Sequence, residues 1–166
     1  MFYSGFCLHG EEGLFDSYLP AFGDFVAGFS YGSIGAVRYA LENENVKTLL
    51  LLSPAYYSHK DNDFREAQLA AFEADPALYK LKLLKKSGLK EEEGERYGKD
   101  GTIDELRELL YFDWSNAGLD VLRARGVAIE VFIGGADRVV EPMSSKDFFA
   151  KYAKAYLLDG KNHILR

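Results

Sequence analysis

The sequence has one cysteine in 166 residues, and its longest uninterrupted apolar runs, such as residues 49–52, are only four residues long. A lone cysteine cannot form a disulfide within the chain or a multi-cysteine metal site, which favours a reducing compartment. An apolar run of this length is far below the ~20 residues that cross a bilayer, and no charged-then-apolar leader precedes a cleavage-like site. We therefore expect a cytoplasmic protein without a membrane segment.

Positive charge is also scarce, with 20 lysines and arginines against 26 aspartates and glutamates and a net charge of -6 at pH 7. Such a molecule repels nucleic acid, and its basic residues form no stripe interleaved with aromatics. Linkers and repeats are absent as well, while 48% of the residues are hydrophobic. This composition predicts one globular domain, residues 1–166, with no nucleic-acid partner and no metal or other cofactor.

Short apolar runs without helical periodicity predict buried strands. They are residues 24–29, 47–52, 127–133 and 155–158, with residues 1–4 as a fifth candidate. Amphipathic helical stretches alternate with them, among them residues 30–41, 115–125 and 142–152. This alternation predicts an α/β fold: a mostly parallel sheet of about five strands with helices on both faces and ligands bound at the carboxyl ends of the strands.

Residues 58–111 interrupt the alternation, because they carry helical signals and no strand. Asp75-Pro76 is typical of a helix N-cap followed by proline in the first turn, and Thr102 to Glu105 has the capping-box pattern. We expect a helical cap inserted into the sheet domain.

A G-x-S-x-G motif, Gly28-Phe29-Ser30-Tyr31-Gly32, falls between a predicted strand and a predicted helix. At such a junction the tight turn demands small flanking residues and exposes the serine at the positive end of the helix. The motif predicts a nucleophilic Ser30 with Gly28 and Gly32 as the elbow glycines. The alternative is a glycine-rich turn that only permits close packing.

A serine nucleophile needs a base and an orienting carboxylate, and the sequence has three histidines. His163 follows the last predicted strand and therefore lies at the same sheet edge as Ser30; alternatively it is a surface residue in a fraying tail. Asp137 follows another strand and two glycines; alternatively it caps the helix near Pro142 or pairs with Arg138. The chain order Ser, Asp, His is typical of α/β-hydrolases.

Acyl transfer also requires two donors for the oxyanion. The backbone N–H of Tyr31, directly after the nucleophile, is one candidate, and the N–H of Phe6, after Gly5, is the second. His9-Gly10 competes with Gly5 for the glycine-bearing turn. Cys7 lacks an elbow, which favours a small buried hydrophobic residue over a nucleophile.

Three segments together resemble a known family: Gly28 to Gly32, Gly134 to Arg138 and Gly160 to His163. They are similar to compact α/β-hydrolases and, more narrowly, to the short pimeloyl-[acyl-carrier protein] methyl ester esterases of biotin synthesis (BioV type). The stretches "LLLLSPAYYSHK", "GVAIEVFIGGADRV" and the closing "NHIL" extend the similarity over nearly the whole chain. The resemblance implies a minimal α/β-hydrolase fold with a cap.

The same resemblance implies hydrolysis of the methyl ester of a pimeloyl group on acyl carrier protein, with Ser30, Asp137 and His163 as the triad and the N–H groups of Phe6 and Tyr31 as the oxyanion hole. The carrier is acidic, and the densest positive cluster could steer it: Lys80, Lys82, Lys85, Lys86 and Lys90. The alternative is a solvated helix face neutralised by the adjoining glutamates. An apolar tunnel for the acyl chain could be roofed by cap residues that alternatively only pack the cap onto the body: Phe64, Leu69, Phe72, Leu78 and Leu109.

Two other functions stay open at this point. The same triad would attack a small free ester or an acyl thioester. A non-catalytic protein that binds a partner through its helical insertion is the third hypothesis, although a binding module needs none of the three triad residues.

Overall fold

Five parallel strands lie side by side in the order in which the chain visits them. The computed structural model describes all residues, 1–166. The strands are β1 (Phe2–Tyr3), β2 (Phe25–Phe29), β3 (Thr48–Leu52), β4 (Ala128–Gly134) and β5 (Lys154–Leu158). The predicted α/β class with about five parallel strands is confirmed.

Seven α-helices and two short 3₁₀ helices connect the strands. The α-helices are α1 (Gly32–Glu42), α2 (Asn62–Ala74), α3 (Pro76–Ser87), α4 (Glu91–Tyr97), α5 (Ile103–Tyr111), α6 (Leu119–Ala124) and α7 (Pro142–Phe149). The 3₁₀ helices are Glu12–Phe15 and Trp114–Asn116. None of the helices is long and apolar enough to cross a membrane.

The helix predicted over residues 115–125 is in fact two pieces. Gly118 lies between the 3₁₀ helix Trp114–Asn116 and α6 with φ of 81°, a left-handed conformation that an α-helix does not contain. The predicted helix over 142–152 is also shorter, because it ends at Phe149.

Both faces of the sheet are covered, but unequally. Helices α1, α6 and α7 bury one face through side chains such as Ile34, Leu122 and Phe149. The 3₁₀ helix Glu12–Phe15 covers the other face together with the C-terminal residues around Ile164. This second layer contacts the carboxyl end of β2, where the predicted site lies.

Four helices, α2 to α5, lie between β3 and β4 and form the cap. The side chains of Asp61 and Asp75 accept the N–H groups of Phe64 and Leu78, at 2.8 and 2.9 Å, and so begin α2 and α3. The capping box at Thr102 is formed and begins α5. The cap has an apolar core of its own, and this core includes Phe6 of the sheet domain.

Candidate active site

Ser30 follows the last residue of β2 and lies just before α1. Its φ is +51°, a left-handed backbone conformation that is costly for a residue with a Cβ. The turn leaves no room for side chains on either flank: a Cβ at Gly28 would overlap the carbonyl oxygen of Gly32, and a Cβ at Gly32 would overlap that of Tyr3. The chain therefore forms a strained strand-to-helix elbow with the serine hydroxyl at its apex.

The hydroxyl of Ser30 is in hydrogen-bond contact with His163, and His163 contacts Asp137. The distances are 3.0 Å from Ser30 Oγ to His163 Nε2 and 2.6 Å from His163 Nδ1 to Asp137 Oδ2. All three residues are buried. An ionised carboxylate only accepts, so Nδ1 carries the ring proton and Nε2 presents a lone pair to the serine hydroxyl. The contacts thus arrange a hydroxyl, an imidazole and a carboxylate in series, which is the arrangement that a serine nucleophile requires.

The loop after β4 holds Asp137 in place. Its Oδ1 accepts the backbone N–H groups of Val139 and Val140, at 2.7 and 3.1 Å, which leaves Oδ2 for the histidine. Glu141 caps α7 instead of Asp137, accepting the N–H groups at the start of that helix. A Cβ at Gly134 would overlap the carbonyl oxygen of Asn162, so this glycine lets the loops of the acid and of the base approach each other.

The segment that carries His163 is pinned on both sides. The side chains of Ile164 and Leu165 are buried. Asn162 Oδ1 accepts the N–H groups of Ile164 and Arg166, at 3.1 and 3.2 Å. The guanidinium of Arg166 forms two hydrogen bonds, at 2.8 and 2.7 Å, with the carboxylate of Glu93 in the cap. The histidine does not lie in a fraying tail.

The other two histidines lie elsewhere. His9 is exposed, and its N–H donates to the carbonyl of Tyr97 in the cap at 2.8 Å. His59 stacks on the ring of Tyr56 at 5.6 Å, and burial lowers its pKa. The His9-Gly10 turn is thereby tied to the cap.

The two candidate oxyanion donors are both free. The backbone N–H groups of Phe6 and Tyr31 donate to no carbonyl or side chain of the protein. Phe6 lines the same cavity as Ser30 and His163, and Tyr31 directly follows the serine. Phe6 is buried, and a buried N–H group usually has a partner, so its free donor beside Ser30 is available to an anionic oxygen.

A cavity of about 260 Å³ opens at Ser30 and His163 and is lined mainly by apolar side chains. Of the predicted roof residues, Phe64 and Leu109 line it. Leu69 and Phe72 are buried in the core of the cap instead. Leu78 is 43% exposed and roofs nothing, because it lies on the outer face of α3.

The predicted lysine cluster divides into two kinds of position. Lys82 and Lys86, one turn apart on α3, line the cavity and are also exposed, so they stand where it meets solvent. Lys80 is engaged with the carboxylate of Asp100 at 2.5 Å. Lys85 and Lys90 are exposed at the end of α3 and before α4. Of the adjoining glutamates, Glu93 is committed to Arg166.

Two carboxylates next to the site were not foreseen. Glu11 is fully buried, and its Oε1 accepts the N–H of Gly5 at 2.7 Å. Glu108 of α5 accepts the hydroxyl of Tyr31 at 2.5 Å and pairs with Arg38 at 2.6 Å. Burial and the bond to Glu108 raise the pKa of the Tyr31 phenol. The partners of Glu108 lie in other elements, and the contact of Glu11 with Gly5, within one loop, has no periodic signal in the sequence.

Several solved structures have a fold similar to that of this chain. BpoC of Mycobacterium tuberculosis H37Rv, a putative non-heme bromoperoxidase, superposes with a TM-score of 0.66 at 12% identity, over 98% of this chain and 84% of its own. BioG of Haemophilus influenzae gives a TM-score of 0.62 at 12% identity, over 99% and 87% of the two chains. The protein has the α/β-hydrolase fold.

A carboxylesterase of Nitrososphaera gargenis aligns with 84% of this chain at a TM-score of 0.58 and 14% identity, and 57% of the esterase is covered. The chain therefore spans little more than half the length of that esterase. No protein-family model matches the chain, and neither does any curated protein. At these identities the likeness shows the fold, and the chemistry must be argued from the site.

Proposed function

We propose that this α/β-hydrolase is a serine carboxylesterase. The observation that carries the proposal is the hydrogen-bond series from Ser30 through His163 to Asp137 at the end of an apolar cavity. A binding module has no use for this series, and a strained serine elbow is typical of a nucleophile.

The reaction has two stages. Ser30 Oγ attacks the ester carbonyl carbon while His163 Nε2 takes its proton, and the N–H groups of Phe6 and Tyr31 stabilise the oxyanion. The bond from carbon to the alkoxy oxygen then breaks, and His163 gives the proton to the leaving alcohol. Water adds to the acyl-enzyme by the same route, which releases the carboxylic acid and restores the Ser30 hydroxyl.

We further propose that the substrate is the methyl ester of pimeloyl-[acyl-carrier protein], cleaved to pimeloyl-[acyl-carrier protein] and methanol in biotin synthesis. Three observations support it. The cavity lining is mainly apolar and suits a polymethylene chain. Lys82 and Lys86 of α3 stand at its opening, where an acidic carrier would dock. The sequence, from its three motif segments to the closing "NHIL", resembles esterases of this pathway.

A fluorophosphonate probe tests the nucleophile. We expect one adduct per chain by intact mass, located at Ser30 by peptide mass spectrometry, and none in Ser30→Ala. A folded protein that is not labelled would contradict every hydrolytic function considered for this site.

The substrate is tested by methanol release from methyl pimeloyl-carrier protein, which we expect from the unmodified chain and not from Ser30→Ala. Short p-nitrophenyl esters and an acyl thioester provide the comparison. If these are cleaved far better than the carrier-bound ester, the protein is a generic ester or thioester hydrolase.

Charge reversal tests whether the lysines of α3 bind the acidic carrier. Changing Lys82, Lys85 and Lys86 to glutamate should raise KM for the carrier-bound ester and leave KM for a short ester unchanged, since only the carrier is acidic. The matched control reverses three lysines at the amino ends of the strands, on the opposite edge of the sheet: Lys47, Lys151 and Lys154. Equal effects of the two triple variants on KM for the carrier-bound ester would rule out a specific docking surface on α3.

A further inference from the structure

Glu11 is a fully buried carboxyl that the proposed reaction does not use. Its side chain lies beneath the turn formed by residues 4–8, with Oε1 2.7 Å from the N–H of Gly5. The second oxygen, Oε2, is buried and has no hydrogen-bond partner. A carboxyl in such a place opposes folding unless its contacts compensate. The N–H of Gly5 provides the shortest such contact, and the Ser4 hydroxyl and the N–H of Glu11 itself also stabilise the carboxyl.

The contact fixes one of two consecutive peptide units. Glu11 holds the peptide between Ser4 and Gly5 through its N–H. The next peptide joins the carbonyl of Gly5 to the N–H of Phe6. The Gly5 carbonyl accepts the N–H of Leu8 at 3.1 Å. Because a peptide unit is planar, holding its carbonyl on one side directs its N–H to the other. The N–H groups of Phe6 and Cys7 both stay free in this turn, and that of Phe6 belongs to the peptide next to the one that Glu11 holds.

Packing around the turn leaves little tolerance for another arrangement. A Cβ at Gly5 would lie 2.8 Å from Cδ1 of Phe29, and one at Gly101 would lie 2.6 Å from Cε2 of Phe6. Cys7 has a φ of 60°, so the backbone reverses sharply directly after the donor. Without the acceptor beneath it, the Gly5 N–H would be buried without a partner, and in so tightly packed a turn even a small rotation toward another acceptor would change the direction of the Phe6 N–H.

We propose that Glu11 is a positioning residue of the oxyanion hole: by accepting the Gly5 N–H, its carboxyl sets the turn so that the N–H of Phe6 points to the oxyanion. This role rests on the proposed function, because the oxyanion exists only during acyl transfer. Hydrogen-bond acceptance is all that it requires, so a glutamine at position 11, which keeps a carbonyl oxygen at the same reach, should substitute.

Burial raises the pKa of the Glu11 carboxyl. This direction agrees with the role, since a negative charge beneath the oxyanion hole would oppose the charge that develops there. Glu11→Gln removes any such charge and keeps the acceptor, whereas Glu11→Ala removes both.

The test compares full-length variants on a short p-nitrophenyl ester. Removing an oxyanion donor outright costs about 10²–10³ in kcat, so for a misdirected donor we expect Glu11→Ala to lower kcat roughly 10- to 100-fold with KM within about twofold. Glu11→Gln should stay within about threefold of the unmodified kcat. Glu12→Ala, at the exposed neighbouring carboxylate, is the matched control and should change neither parameter.

A boronic acid provides the second measurement, because its tetrahedral serine adduct places an anionic oxygen in the hole. Its affinity should fall in Glu11→Ala by the same factor as kcat, with thermal unfolding followed in parallel. If the alanine variant does not fold, Glu11→Asp replaces it: aspartate keeps the carboxyl but is one methylene too short to reach Gly5, and the same loss is expected.

The outcomes separate the two proposals. Normal kcat and boronate affinity in a folded Glu11→Ala or Glu11→Asp variant would overturn the positioning role alone, as would a loss confined to KM. Failure of the glutamine variant to restore kcat would also overturn it. Absence of ester hydrolysis and of Ser30 labelling in the unmodified protein would overturn the proposed function, and this role with it.

Discussion

Asp137→Asn removes one charge and almost no volume, and the surroundings dictate how the new amide must sit. Position Oδ1 accepts two backbone N–H groups, from Val139 and Val140. The amide oxygen has to stay there, because an NH₂ group facing two N–H donors would leave all of them unpaired. The NH₂ group is therefore forced to the position of Oδ2, which lies 2.6 Å from His163 Nδ1.

This orientation of the amide changes which ring nitrogen of His163 carries the proton. An NH₂ group donates to Nδ1, so the ring proton must move to Nε2, 3.0 Å from Ser30 Oγ. The imidazole then has no lone pair for the hydroxyl proton. In serine triads, a histidine held in the wrong tautomer loses its function as a base. We therefore expect kcat to fall about 10⁴-fold, equivalent to ~5.5 kcal/mol of transition-state stabilisation.

The assay measures kcat on a p-nitrophenyl ester together with the rate of fluorophosphonate labelling, and both should fall. Because the two backbone hydrogen bonds persist, the midpoint of thermal unfolding should change little. Asp159→Asn, an exposed aspartate in the loop that precedes His163, is the control and should keep full activity. A kcat for Asp137→Asn within tenfold of the unmodified protein would refute this reasoning about the tautomer.

Three further predictions concern the elbow, the cap and the thiol. Gly28→Ala should lower the free energy of unfolding by at least about 2 kcal/mol in a urea titration, because its Cβ overlaps a backbone carbonyl, whereas Gly13→Ala, with open space around it, should change it little. The hydrogen bonds from Arg166 lower the pKa of Glu93, so this pair stabilises the fold above the ordinary glutamate pKa and loses that effect as the pH falls through the lowered value. Glu93→Gln should therefore lower the unfolding midpoint by about 1–2 °C at pH 7 and not at pH 3, and an equal shift at both would contradict it. Burial raises the pKa of the Cys7 thiol to about 11, so iodoacetamide at pH 8 should leave the folded protein unalkylated by mass spectrometry.

Local signals were sufficient wherever the determinant lies within a few residues. Gly28 and Gly32 predict the elbow, because the turn requires small residues at these positions. Thr102 and its capping partner Glu105 predict the start of α5. The break at Gly118 was missed because glycine within a helical pattern is tolerated too often to indicate a boundary.

Contacts between distant segments account for the rest. Glu11 lies in a charged loop, and nothing nearby in the sequence distinguishes it from the exposed Glu12. Its burial arises only when the 3₁₀ helix that follows packs on the sheet. Likewise, Arg166 meets Glu93 across 73 residues, so neither the pairing nor its link to the base could be derived from periodicity or spacing.

Because consecutive strands are neighbours in the sheet, the connections between them differ mainly in length. Only one crossover, residues 53–127 between β3 and β4, is long, and it contains the whole cap. The entropy of closing a loop rises only logarithmically, so doubling or halving this crossover alters its closure by ~0.6 kcal/mol. Neither Ser30 nor the acid and base belongs to it. Within this crossover, α2, α3 and α5 line the cavity, whereas α6 packs in the core of the sheet. Changes of length confined to the cap, away from Glu93 and α6, therefore add little closure entropy and alter the cavity without moving Ser30, Asp137 or His163.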